Sequence, residues 1–261
     1  MAPALPLTDG STIMVLSPHL DDSVLSCGAL MADAHRLGVD VLVVTVFNGR
    51  PVPPLSAPAS RFHARCGHTD NNAMDEREIE DDRALGIVGA RTERLYLPEA
   101  LYRKDLDGTP LYDSDSAIFR EHVPASSDER STVERRITQR VDAVDPDLVL
   151  APLGIGGHVD HLLVSAAAQR LNRHVLHYED VPYVLYDRCK DWRTGVVAHA
   201  AHTHVCSAEG WWAKISGIEC YTSQLDVVWY SPGSWREDLD AYARTVGDGR
   251  HAERLWSLNG R

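Results

Sequence analysis

Histidine and aspartate recur together at two places in this chain of 261 residues, as His19-Leu20-Asp21-Asp22 and as His158-Val159-Asp160-His161. Imidazole nitrogens and carboxylate oxygens are common zinc ligands, and two such residues three positions apart can face one point across a helical turn. Adjacent helical residues diverge by about 100°. Asp21 and Asp22 therefore cannot serve one ion alike: one can ligate while the other stands beside an open coordination position, where a base for a water molecule is needed. Taken alone, the first segment reads better as a helix cap. The second follows Gly154-Ile155-Gly156-Gly157, a run that lets the backbone turn sharply and approach a ligand. That run is not a dinucleotide-binding loop, since Val159 stands where its third glycine would be. The pairing of the two clusters is what points to one metal site.

Both clusters must be carried by strand-to-helix junctions for this to work. Ile13–Leu16 is a short apolar run, Asp22 to Leu37 has helical spacing, and Val39–Phe47 is a β-branched run suited to a strand buried on both faces. Strand, helix and strand in this order form a βαβ unit, hence a parallel sheet with right-handed crossovers. Ligands bind beyond the C-terminal ends of such strands. Farther on, Asp75–Leu85 reads as a charged helix and Thr92–Leu97 as a short strand. Ser126 and Glu129 form a capping box for a helix that Pro146 ends, and Leu148–Ala151 is the next buried strand. Val159–Leu171 reads as a helix and His174–Tyr178 as a strand, followed by a strand at His202–Cys206 and helices at Ala208–Cys220 and Ser234–Val246. Arg50–Asn72 and Pro98–Ala125 read as long irregular stretches, which in a compact domain are more often substrate walls or lids than spacers. No repeat or linker divides the chain, so residues 1–261 are expected to form one α/β domain with an elaborated C-terminal third.

A formal net charge of -12 and the lack of any basic run exclude the clustered positive surface that nucleic acid or an anionic membrane requires. No apolar stretch is long enough to span a bilayer, and Met1 to Gly10 lacks the basic start and apolar core of a signal peptide. Five cysteines without a C-x-x-C pair fit a reducing cytoplasm better than a disulfide scaffold. The oligomeric state is left open, a homo-oligomer included.

With these residues in view, the chain resembles the PIG-L (LmbE-like) zinc N-deacetylases. That family's motifs are His-Pro-Asp-Asp-Glu and His-x-Asp-His, matched here by His19-Leu20-Asp21-Asp22-Ser23 and His158-Val159-Asp160-His161. Arg77-Glu78 through Gly86 and Tyr221-Thr222-Ser223-Gln224 resemble two looser family segments. The resemblance implies a Rossmann-like three-layer domain with a mostly parallel sheet, and Zn²⁺ held by His19, Asp22 and His161. It implies Asp21 as general base and His158 near the acyl oxygen. The expected reaction is removal of an N-acetyl or other N-acyl group from a small-molecule amino sugar or glycoconjugate. Leu20 and Ser23 depart from the family's proline and glutamate, and this form looks like the branch acting on glycosylated natural products.

Asp160 is expected to orient one imidazole, and Arg50 and Tyr102 are candidates for sugar contacts, with Tyr183 and the tryptophans as further stacking residues. His202 and His204 share a strand face without a carboxylate and read as an edge strand. Asp113-Ser-Asp115 resembles the metal-binding D-x-D of nucleotide-sugar glycosyltransferases, which is the competing class of enzyme. A non-catalytic sugar-binding relative, with Ser23 marking lost chemistry, is the third reading.

Overall fold

The computed structural model describes residues 7–119, 126–186, 189, 198–229 and 233–258. The strands expected from the sequence pair in parallel: β1 (Thr12–Ser17), β2 (Asp40–Phe47), β3 (Arg91–Leu97), β4 (Leu148–Pro152) and β5 (Val175–Tyr178). β6 (Ala198–Val205) and β7 (Ala252–Leu258) add an antiparallel edge, giving the order β3-β2-β1-β4-β5-β7-β6. The helices are α1 (Asp22–Arg36), α2 (Ala57–Arg65), α3 (Ala73–Ile87), α4 (Asp115–Ile118) and α5 (Ser127–Val144). They continue with α6 (Val159–Ala168), α7 (Ala208–Ile218), α8 (Leu225–Val228) and α9 (Trp235–Val246).

Strand alternation sorts the core into two layers. Ile13 and Val15 of β1 join Leu25, Leu30, Leu85, Ile215 and Leu239 on the face covered by α1, α3, α7 and α9. Met14 and Leu16 join Val133, Ile137, Leu163 and Val164 on the face covered by α5 and α6. The sheet between them is the three-layer α/β arrangement expected.

Three local differences from the sequence reading have physical causes. The stretch Arg50–Asn72 is not all loop, because α2 lies inside it. Ser56 caps this helix by accepting the Ala59 N–H at 3.2 Å, and Pro58 is tolerated in the first turn, where its missing N–H is not needed. β7 was not foreseen. Its burial shows no two-residue alternation, since Ala252, Glu253 and Leu255 are buried and the rest are half-buried. The third difference is a break in α1 at Cys27, whose φ of -137° is not helical. The break leaves the N–H groups of Ala29 and Leu30 to donate to the Glu253 carboxylate at 3.0 and 2.8 Å, and Lys214 of α7 closes the cluster at 2.7 Å from Glu253 Oε1. Of the expected irregular stretch Pro98–Ala125, α4 and a 3-10 turn at Ala100–Tyr102 are ordered, and 120–125 lie outside the described residues.

No helix among the described residues is long and apolar enough to cross a membrane.

Candidate metal centre

β1 ends at Ser17 and α1 begins at Asp22, so the His19 motif lies in the turn between them, while the His158 motif opens α6 just beyond β4. β1 and β4 are neighbours in the sheet, and this adjacency is what brings the two motifs together. Leu20, where the family motif has proline, is fully buried and packs with Ala59, Met74 and Tyr102. The turn is thus anchored by apolar packing instead of by a fixed φ.

Three donor atoms converge. Asp22 Oδ2 lies 3.3 Å from His19 Nδ1 and 3.3 Å from His161 Nε2, and the same carboxylate oxygen accepts the His19 backbone N–H at 2.8 Å. The other nitrogen of each histidine is already committed. His161 Nδ1 is 2.7 Å from Asp180 Oδ1, and His19 Nε2 is 2.9 Å from Asp160 Oδ2. Carboxylates accept only, so each of these nitrogens carries the proton, and each lone pair faces Asp22. His161 Nε2 is buried and makes no hydrogen bond. A buried polar atom without a partner needs an explanation, and a cation held by two imidazoles and one carboxylate supplies it. Two histidines and a carboxylate with one side open is a zinc donor set. Electrostatics agree: burial opposes protonation of His161, yet Asp22 and Asp180 outweigh it and push its pKa up to about 9. Likewise burial works against a charged Asp22, but His161 and His19 hold its carboxyl well below the usual range. The cluster demands positive charge at this point.

Asp21 sits at the N-cap position of α1 with φ 137° and ψ -38°, a region that strains any residue with a side chain, and its side chain makes no capping bond. The cap reading of this residue therefore fails. Burial first and the Asp22 charge second raise its pKa well above the ordinary carboxylate value. His158 caps α6 by accepting the Asp160 N–H on Nδ1 at 3.2 Å, so in the neutral ring the proton sits on Nε2. Burial and neighbouring His19 lower its pKa, which keeps it neutral.

Asp160 is itself clamped by Arg103 and by the Ala100 N–H at 2.9 Å, and Arg103 also reaches Glu129 of the α5 capping box at 3.0 Å. Sequence reasoning missed Arg103, and it missed Asp180 as well. Besides holding His161, Asp180 accepts the N–H groups of Gly154 and Ile155 at 2.8 and 2.9 Å. The glycine run thus wraps an internal carboxylate where a phosphate loop would wrap a ligand. A second missed pair is Arg77 and Glu99, buried and joined at 2.7 Å.

The two sugar-contact candidates each already have protein partners. Tyr102 is 8% exposed, and its hydroxyl lies 2.7 Å from His63 Nε2, with Asp70 at 2.8 Å from the other ring nitrogen. It belongs to a packed cluster with Leu20, Ala59 and Met74. Arg50 is on the surface, paired with Asp75 at 2.5 Å and near Glu78 at 3.6 Å. Asp113 and Asp115, the carboxylates of the glycosyltransferase reading, are exposed and join no metal-binding group among the described residues. β6 is the edge strand, and its His204 bonds Asp33 at 2.9 Å. The late Tyr221-Thr222-Ser223-Gln224 segment is stitched to α3: Tyr221 donates to Asp81, and Thr222 and Ser223 to Glu80.

Ser23 is fully buried, and its hydroxyl oxygen has no partner. Nothing in the site leans on it. Ser23→Ala should therefore change stability by less than about 1 kcal/mol and leave turnover near the parent value, checked by thermal melting and an amine-release assay.

A parallel α/β sheet that carries two lone-pair imidazoles, a carboxylate ligand and a spare strained carboxylate at its strand ends defines a metal-dependent hydrolase. Residues 14–172 match the PIG-L family, described as GlcNAc-PI de-N-acetylase, and the chain belongs to that family. It is 30% identical over 199 residues to a 2'-N-acetylparomamine deacetylase of Niallia circulans, covering 67% of this chain and 68% of that one. It is 34% identical over 182 residues to the Streptomyces fradiae enzyme of the same name, covering 68% of this chain and 59% of that one. Among solved structures, the zinc-inhibited form of a teicoplanin deacetylase superposes with a TM-score of 0.83 at 31% identity, covering 94% of this chain and 97% of that chain. The reading as a zinc-dependent N-deacetylase of acylated amino sugars stands.

Proposed function

We propose that this chain deacetylates an N-acylated amino sugar within an antibiotic or related glycoconjugate, with His19, Asp22 and His161 holding zinc, Asp21 as general base and His158 as the acyl-oxygen donor. The observation that carries the ligand assignment is the buried, unpartnered Nε2 of His161, set across Asp22 Oδ2 from His19 Nδ1. The relatives that act on acetylparomamine and teicoplanin support the natural-product substrate class.

Zinc, when bound, supplies Lewis acidity that acidifies water and polarises the amide carbonyl. Asp21 takes the proton from the attacking water as its oxygen adds to the amide carbon. The raised pKa of Asp21 suits this role, since a base is most effective when its pKa approaches the working pH. The Nε2–H of neutral His158 donates to the acyl oxygen as negative charge grows there. The C–N bond then breaks, and protonated Asp21 returns its proton to the departing amine. His158, already neutral, has none to spare. Asp160 and Asp180 hold the two ligand imidazoles in the correct tautomer.

The deciding experiment is to assay amine release from 2'-N-acetylparomamine and from methyl 2-acetamido-2-deoxyglucoside before chelation, after it and after zinc is restored. Zinc-dependent release from either supports the reading, and release from neither, with zinc bound, returns the chain to a sugar-binding role. Asp180→Asn is expected to weaken zinc 10–100-fold, a typical cost of losing a partner that orients a ligand. The mechanism is specific: an amide nitrogen facing Nδ1 pushes the ring proton onto Nε2, where the ion must bind. Competition with a chromophoric chelator measures it.

A further inference from the structure

Tyr183 stands against the second histidine motif without belonging to it. Its ring meets the His161 ring edge-on, with centroids 5.4 Å apart and planes at 85°, and it meets Phe119 at 5.9 Å. Phe119 in turn lies edge-on to His158 at 5.2 Å, and its backbone bridges that of His158. On the opposite side Tyr186 closes the cage at 6.3 Å.

The fourth wall is the backbone of the glycine run. Gly156 has φ +90°, and a Cβ placed there would come within 2.7 Å of Tyr183 Cγ. The absence of a side chain at 156 is therefore what admits the ring to this position. Four contacts fix the ring, yet no hydrogen bond reaches its hydroxyl among the described residues, and the residue is only partly buried. A phenol is protonated at neutral pH, so this is a held O–H donor with no protein acceptor. Such a rigidly mounted donor beside a reaction centre costs no reorganisation when charge develops.

We propose that the Tyr183 hydroxyl is a further catalytic group, donating a hydrogen bond to the acyl oxygen of the bound amide together with His158. This rests on the deacetylase reading above. The hydroxyl gives up no proton; it stabilises charge and is unchanged at the end of the cycle. Gly156 is the positioning residue that makes room for it.

Tyr183→Phe keeps the ring and all its contacts, so fold and zinc site are retained. The expected result is unchanged zinc content and melting temperature, KM within about twofold of the parent, and kcat lowered by about 10²-fold, the cost typical of one lost oxyanion donor. A methylphosphonamidate analogue of the glucosamine amide, titrated calorimetrically, should lose affinity by a similar factor, because it presents the charged oxygen that substrate lacks. If kcat stays within twofold, or the loss falls wholly on KM with analogue binding intact, the role is wrong. A parent that releases amine from neither acetylated substrate overturns the deacetylase reading and this role together. An active parent matched by its variant overturns the role alone.

Discussion

Replacing Asp21 by Asn should lower deacetylation about 10²–10⁴-fold while zinc stays bound, and should make the protein harder to unfold. The first half follows from the proposed mechanism: this carboxylate lies next to Asp22 in sequence and makes no capping bond, so it is the group that mechanism leaves for proton transfer. The second half follows from cost. Asp21 is a buried acid beside another acid, on a backbone conformation that disfavours a side chain. Asp21→Gly should go further, since relief of such strain is worth about 1–3 kcal/mol. The pH dependence has a definite sign. A carboxyl whose folded pKa is raised binds its proton more tightly in the native state. The metal-free parent thus loses stability from this group as pH rises above the ordinary carboxylate value, and Asp21→Asn does not. Melting curves of both proteins in chelator between about pH 4 and 7 should diverge upward in pH. Convergence would remove the argument, and full activity in the Asn variant would remove the base.

The second large effect lies outside the chemistry. Glu253→Ala should cost about 3–5 kcal/mol, the usual penalty for stripping a buried ion of its partner. That is a large share of the roughly 5–15 kcal/mol by which a domain is stable. Lys214 would be left buried and unpaired, and the Ala29 and Leu30 N–H groups at the break in α1 would lose their acceptor. These two losses can be separated. The double variant Lys214→Met with Glu253→Leu removes both charges but leaves the two backbone donors unsatisfied, so it should recover only part of the loss in a urea titration. Full recovery would show that the carboxylate serves the ion pair alone.

The strand-to-helix junctions and the His and Asp pairs that meet there were legible because each is written locally: a β-branched run, a break, then His and Asp at a spacing that one turn can fold together. The charges that hold those histidines were not. Asp180 follows β5 with nothing near it in sequence to mark a role, and it meets His161 only because β5 lies beside β4. Arg103 reaches Asp160 from the irregular stretch after β3, whose path no periodicity predicts. The burial of Tyr102 was hidden for the converse reason. An aromatic residue in a loop reads as a rim residue, but α2, hidden in the preceding loop, brings His63 to cover it. Pattern reports elements, whereas contacts between loops depend on a topology that only the folded sheet reveals.

The order β5-β7-β6 has a bearing on how the chain is made. β6 leaves the ribosome before β7, yet it can join the sheet only through β7, which lies between it and β5. During synthesis His19, Asp22, His161 and Asp180 are all available before Glu253, whose carboxylate is the acceptor at the break in α1. Arrival of β7 thus supplies two things at once, the strand that ties β6 to the sheet and the carboxylate that satisfies the break in α1.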